Sequence, residues 1–172
     1  VWDNVNNRQD VNDVKEIRVD TTVPTGTLDP QPAFVSGVVN VTGVHADTGS
    51  GVAEFDVTVI DPDGASHDVC VANTDPSPFS CTWDTSGLDE GVYTIRLVVR
   101  DRAGNGSVPH ELQVTVDNTP PDLSFLEWVE GGAPSYQHAI GETMFYNPQS
   151  PGGFTLRMDA TDGGSGVNNV TF

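Results

Sequence analysis

Three short motifs recur along this chain in the same order, and nothing else in the sequence restricts its possible folds so severely. Val1-Trp2-Asp3 and Asn7 return 98 positions later as Val99-Arg100-Asp101 and Asn105. Val19-Asp20-Thr21-Thr22-Val23-Pro24 returns after 97 positions as Val116-Asp117-Asn118-Thr119-Pro120-Pro121. Ala46-Asp47-Thr48-Gly49-Ser50-Gly51-Val52 returns after 115 as Thr161-Asp162-Gly163-Gly164-Ser165-Gly166-Val167. Ordered self-similarity of this kind marks an array of like units. The shifts divide the chain into residues 1–19, which end one repeat and are expected to form a two-stranded hairpin; 20–117, a complete repeat; and 118–172, the opening strands of a third. Asp20 and Asp47 lie 27 positions apart but Asp117 and Asp162 lie 45 apart, so the third repeat carries about eighteen extra residues, expected around Thr143–Pro151.

The complete repeat reads as short strands of period two. Val39-Asn40-Val41-Thr42 opens a strand that leads to a turn at Asp47–Gly51. Ala53, Phe55, Val57 and Val59 alternate with polar residues, and Asp61-Pro62-Asp63-Gly64 then makes a turn. Further strands run through Val69 and Val71, through Phe79, Cys81 and Trp83, through Tyr93, Ile95, Leu97 and Val99, and through Leu112, Val114 and Val116. Six or seven strands in about 98 residues, separated by Gly, Pro and Asp turns, predict an all-β, two-sheet sandwich. No stretch shows a helical apolar stripe or reaches membrane-spanning length.

The formal net charge is −18, from 25 acids against seven bases. An acidic surface gains nothing electrostatically from nucleic acid or an anionic membrane, so neither is expected as a partner. Of the acids, 18 are Asp, whose short carboxylate suits turns and compact metal sites; a solvated acidic surface is the plainer reading. The two cysteines, Cys70 and Cys81, fit one disulfide in an oxidising compartment, and no second Cys or His pair stands at metal-ligand spacing. The four histidines occur singly and no nucleophile motif is present, so the chain is not expected to be an enzyme. It opens without Met or a signal-peptide pattern, which reads as an internal fragment of a processed protein.

The linkers at Val19–Thr22 and Val116–Thr119, the Ser-Gly-Val turns at Asp47–Val52 and Asp162–Val167, Thr82-Trp83-Asp84-Thr85, and Asp101-Arg102-Ala103-Gly104-Asn105 resemble those of bacterial immunoglobulin-like domains. These are the tandem modules of large surface and secreted proteins, and the resemblance covers the whole chain. Leu88, Gly91 and Tyr93 resemble the corner in which a Tyr hydroxyl ties back to nearby backbone. The family's long-range disulfide beside a third-strand Trp has no counterpart, because Cys70 and Cys81 are close in sequence and Val52–Ile60 holds no Trp. The pair resembles instead a local clip on a hairpin.

The resemblance implies tandem immunoglobulin-like sandwiches, the first and last incomplete, in an extracellular, cell-surface or secreted protein. In that topology Asp20, Asp47 and Asp101 with Asn105 gather at one end of the sandwich, and Asp117 and Asp162 play the same parts at the next junction. Such a gathering suits calcium, which takes six to eight oxygens; the alternative is that each residue only caps its own turn. The leading functional expectation is a structural stalk or fibre module, partnered by neighbouring repeats of its own chain and by like subunits. The alternatives are an adhesive module for glycan or a host partner, and a spacer in a secreted polysaccharide-degrading enzyme. Exposure of Trp128, Tyr136, Phe145 and Tyr146 would favour the adhesive reading.

Overall fold

The computed structural model describes residues 4–7, 16–72, 77–131, 136–150 and 152–171. Among them there is no α-helix. The strands are β1 (Thr25–Leu28), β2 (Phe34–Val35), β3 (Val38–Ala46), β4 (Val52–Ile60), β5 (Ser66–Ala72), β6 (Phe79–Asp84), β7 (Gly91–Asp101), β8 (His110–Val116), β9 (Asp122–Gly131), β10 (Gln137–Ile140), β11 (Thr143–Tyr146) and β12 (Gly153–Thr161). Most of the hairpin expected from residues 1–19 lies outside the described residues. Residues 4–7 and 16–19, which are described, form no strand.

Two sheets share one core. The first has the order β1-β3-β6 and the second β2-β8-β7-β4-β5. All pairings are antiparallel except that of β2 with β8. Alternation decides the inward face: Phe79, Cys81 and Trp83 point into the core while Ser80, Thr82 and Asp84 face water. Ile95, Leu97 and Val99 of β7 are fully buried, together with Val41, Val57 and Val116. The arrangement is compatible with a β-sandwich. At its corner the Tyr93 hydroxyl donates to the Asp89 carbonyl at 3.0 Å.

Two details differ from the sequence pattern. Val52, not Ala53, occupies the first inward place on β4. The register against β7 shifts between Val52 and Glu54, and one extra residue reverses the sides before it. The disulfide also has a different job. Cys70 and Cys81 are bonded, with Cα atoms 5.9 Å apart, but β5 and β6 do not form a hairpin. β5 pairs with β4 and β6 pairs with β3, so the bond joins the outermost strand of one sheet to the outermost strand of the other. It is a cross-sheet staple, and the expectation of a hairpin clip is corrected.

The third segment repeats the register of the first sheet. β1 begins pairing with β3 at Thr25↔Ala46, and β9 begins pairing with β12 at Asp122↔Thr161. Thr25 and Asp122 each stand five residues after a linker Asp, and Ala46 and Thr161 each stand just before a turn Asp. Phe154, Leu156, Met158 and Ala160 therefore occupy the places of Val39, Val41, Gly43 and His45. The latter four are buried, whereas the former remain half-buried or exposed. The extra length is not confined to 143–151. It is divided between a longer β9, ten residues against four in β1, and the β10–β11 hairpin.

Reduction of the Cys70–Cys81 bond should lower stability by about 2–3 kcal/mol, as expected for so short a closed loop. Far-ultraviolet circular dichroism at 20–25 °C should be unchanged. Thermal melting with and without reductant measures the first, and a spectrum that loses its β signature on reduction would contradict the second.

Candidate metal centre

Each acidic residue of interest sits where a strand ends and backbone N–H groups lose their ladder partners. Asp47 follows β3, and its Oδ2 accepts from the N–H groups of Gly49 (3.0 Å) and Gly51 (2.7 Å). Asp101 closes β7, and its Oδ1 accepts from Ala103 (2.9 Å) and Asn105 (2.7 Å). Asp20 lies in the linker before β1, where its Oδ1 accepts from Thr22 (3.0 Å) and its Oδ2 from Ser50 (2.5 Å). These are Asx-type turns, in which a short carboxylate replaces a missing backbone acceptor.

The fold then brings the three turns together. Asp20, Asp47 and Asp101 each place a carboxylate oxygen within 4.8 Å of the others. Asn105 braces the group: its Nδ2 donates to Asp101 Oδ2 at 2.7 Å and to the Asp20 carbonyl at 3.3 Å. Asp101 is buried, yet among the described residues no lysine or arginine forms an ion pair with any of the three. Arg102 comes near but spends its guanidinium on the Ser50 carbonyl at 3.3 Å.

One oxygen bears on the choice between turn capping and metal binding. Asp47 Oδ1 is buried and accepts no hydrogen bond among the described residues. A buried acceptor left unpaired costs about 1–3 kcal/mol, and more when charged. Calcium holds oxygens at about 2.3–2.6 Å, so ligands on opposite sides of the ion stand about 4.6–5.2 Å apart, and the observed spread lies inside that span. The hard, all-oxygen donor set fits calcium, and the carboxylates of Asp20, Asp47 and Asp101 would hold it. The bound ion would supply the positive charge that offsets their mutual repulsion.

Asp117 and Asp162 reproduce the turn geometry of Asp20 and Asp47. Asp117 accepts from Thr119 (3.3 Å) and Ser165 (2.5 Å), matching Asp20 with Thr22 and Ser50. Asp162 Oδ1 accepts from Gly164 and Gly166, both at 2.9 Å, matching Asp47 with Gly49 and Gly51. Gly51 and Gly166 take nearly the same left-handed φ, 82° and 81°. Gly49 and Gly164 are required for space, since a Cβ on either would overlap the Asp20 or Asp117 carboxylate. Asp117 and Asp162 both line a groove of about 560 Å³, but among the described residues no third carboxylate joins them. The linker is also fastened from behind: Asn118 Nδ2 donates to the carbonyls of Thr85 (2.7 Å) and Leu88 (3.3 Å), and Thr119 Oγ1 bonds to Glu90. Sequence reasoning assigned no role to Ser50, Thr22 or Asn118. The available signal was their recurrence beside each Asp.

These bonds set the local acidity. The Ser50 hydroxyl and N–H, with Thr22, hold Asp20 below the ordinary carboxylate range, and Ser165 does the same for Asp117. Burial pushes Asp101 up, but donors from Asn105, Ala103 and Gly104 outweigh it and the net shift is downward. No protein-family description matches the chain, and no curated protein matches it either.

A carboxylate depressed in the folded state contributes stability above its unfolded value, near 3.9 for Asp, and loses it as pH falls through the lower folded value. Melting temperature should therefore fall as the solution is acidified below about pH 4. Gly49→Ala should displace Asp20 and flatten that acid limb, because the Asp20–Ser50 bond would already be lost. An acid limb identical to the parent's would show that Asp20 is not held as described.

Proposed function

We propose that the chain is a non-catalytic structural segment of an extracellular or cell-surface protein, built of tandem immunoglobulin-like sandwiches whose junctions are stiffened by calcium. The observation that carries this reading is the meeting of Asp20, Asp47 and Asp101, together with a buried Asp47 oxygen that has no hydrogen-bond partner among the described residues. The three come from a linker, from the turn after β3 and from the end of β7. An ion held there would fix the linker's direction relative to the sandwich. Residues 118–172 act in this reading as the first sheet of a further sandwich, an assignment supported by the shared register of β1–β3 and β9–β12.

Two further features favour a stiff array. Pro120 and Pro121 fix two successive φ angles just after the linker Asp, and Asn118 anchors that linker to the preceding sandwich. The staple between sheets and the absence, among the described residues, of a helix long and apolar enough to cross a membrane are compatible with an extracellular location. The resemblance to bacterial immunoglobulin-like repeats supports the same assignment.

Extracellular calcium modules bind at about 0.1–1 mM, so the site would fill outside cells. At a tenfold excess of calcium over Kd, one such site adds about 1.4 kcal/mol to stability. Melting of the 1–172 chain in calcium against chelator should therefore shift upward by several degrees, and small-angle scattering should show a narrower range of shapes. Asp47→Asn should abolish both responses while leaving the chelator-state melting temperature close to the parent's. Indifference of the parent to calcium in both measurements would leave turn capping as the sole role of these residues.

A further inference from the structure

The β10–β11 hairpin has no counterpart in the complete repeat, and the aromatic side chains at it lie outside the described hydrophobic core. Tyr146 is 60 % exposed, Phe145 57 % and Tyr136 51 %. Trp128, grouped with them on sequence grounds, belongs elsewhere: it is half-buried on the β9–β12 face against Phe125 and Phe154. Tyr136, Tyr146 and Phe154 line a cavity of about 410 Å³ at the base of the hairpin. Tyr146 and Phe154 meet at its wall, with ring centroids 5.8 Å apart and planes inclined by 52°.

The rest of the lining fixes the ligand chemistry. Gln137, Asn147 and Ser150 supply amide and hydroxyl groups, and among the described residues none in the lining is charged, although the chain carries 25 acids. The backbone frame is set by Asn147 donating its N–H to the Tyr136 carbonyl (2.9 Å) and by Ser150 donating to the Asn147 carbonyl (3.1 Å). Asn147 Oδ1 accepts from Gln149 at 3.0 Å, which leaves the amide NH₂ of Asn147 as a donor toward a ligand. Gln137 Nε2 donates to the Gly131 carbonyl at 2.8 Å, which leaves Gln137 Oε1 as an acceptor. Exposed aromatic faces carry a negative quadrupole that attracts weakly positive C–H groups, while convergent amides and hydroxyls exchange hydrogen bonds with ligand hydroxyls. A neutral polyhydroxylated ring presents both.

We propose that this cavity binds a neutral polysaccharide, with Tyr136 and Tyr146 stacking on sugar rings and Gln137 and Asn147 bonding to ring hydroxyls. An anionic glycan is disfavoured by the net charge of −18 and by the lack of a cation in the lining among the described residues. Among the described residues the lining holds no carboxylate pair of the kind glycoside cleavage uses, which favours binding. This inference does not depend on calcium at the junctions.

Affinity electrophoresis of the 1–172 chain through gels cast with mannan, galactomannan, xyloglucan or hydroxyethylcellulose tests it. Retardation at least twofold greater than that of serum albumin is expected in one or more gels, and it should persist in chelator. Tyr146→Ala and, separately, Tyr136→Ala should each remove most of it without changing the melting temperature, whereas Tyr146→Trp should retain it. No retardation in any of the four gels would overturn the proposal. So would retardation that survives both alanine variants, or a loss that only accompanies unfolding.

Discussion

The linker before β1 is tied to the sheets by a hydrogen bond from the Ser50 N–H to the carboxylate of Asp20. Asp20 belongs to the linker and Ser50 to the turn between β3 and β4, 30 residues later, so this bond converts a local turn into a tertiary clasp. It forms because Gly49 has no Cβ where the carboxylate must lie. Asp47 then orders the same turn from within, Asn105 bonds to the Asp20 carbonyl, and Asp101 is brought alongside. The gathering of negative charge follows from using carboxylates as caps on three neighbouring loops. Among the described residues Asp47 Oδ1 has no hydrogen-bond partner, and a cation would complement the gathered charge.

The sandwich behind the clasp makes it possible. β3 and β4 lie in different sheets, so the turn between them crosses from one sheet to the other at the end where β7 terminates. The shared core of Val41, Val57, Ile95, Leu97 and Val99 fixes the distance between the sheets and thereby the distance between the loops. The Cys70–Cys81 staple closes the opposite flank, where β5 and β6 are outermost. Asp56 is a local cost of so acidic a surface. Burial first, then the charges of Asp68 and Glu54, push its carboxyl above the usual range, so it opposes folding at neutral pH and less so in acid.

Much of this was legible in the sequence. Alternation located β3, β4, β6, β7 and β8 because each buries one face, whereas β5, at a sheet edge, leaves Val71 exposed. The topology implied by the family resemblance placed Asp20, Asp47 and Asp101 at one end. Other features were not legible for identifiable reasons. β1 and β2 have four and two residues, too few to show a period. A spacing of eleven between cysteines gives a loop length but not the sheet to which each flanking strand belongs, and hence the staple read as a clip. Ala53 read as inward because a bulge leaves no mark in an alternating pattern until a partner strand is present. The aromatic residues of the third segment could be listed but not sorted, since only the fold separates half-buried Trp128 from exposed Tyr136 and Tyr146.

The central claim is that three carboxylates share one ion, and side-chain carboxylate ¹³C resonances during a calcium titration test it most directly. The Cγ signals of Asp20, Asp47 and Asp101 should move together and saturate with a single midpoint at about 0.1–1 mM, while that of Asp84, on an exposed turn, stays still. Three junction signals that remain in place to well above that concentration, or that drift no more than Asp84 does, would contradict the account and return these residues to the capping of their own turns.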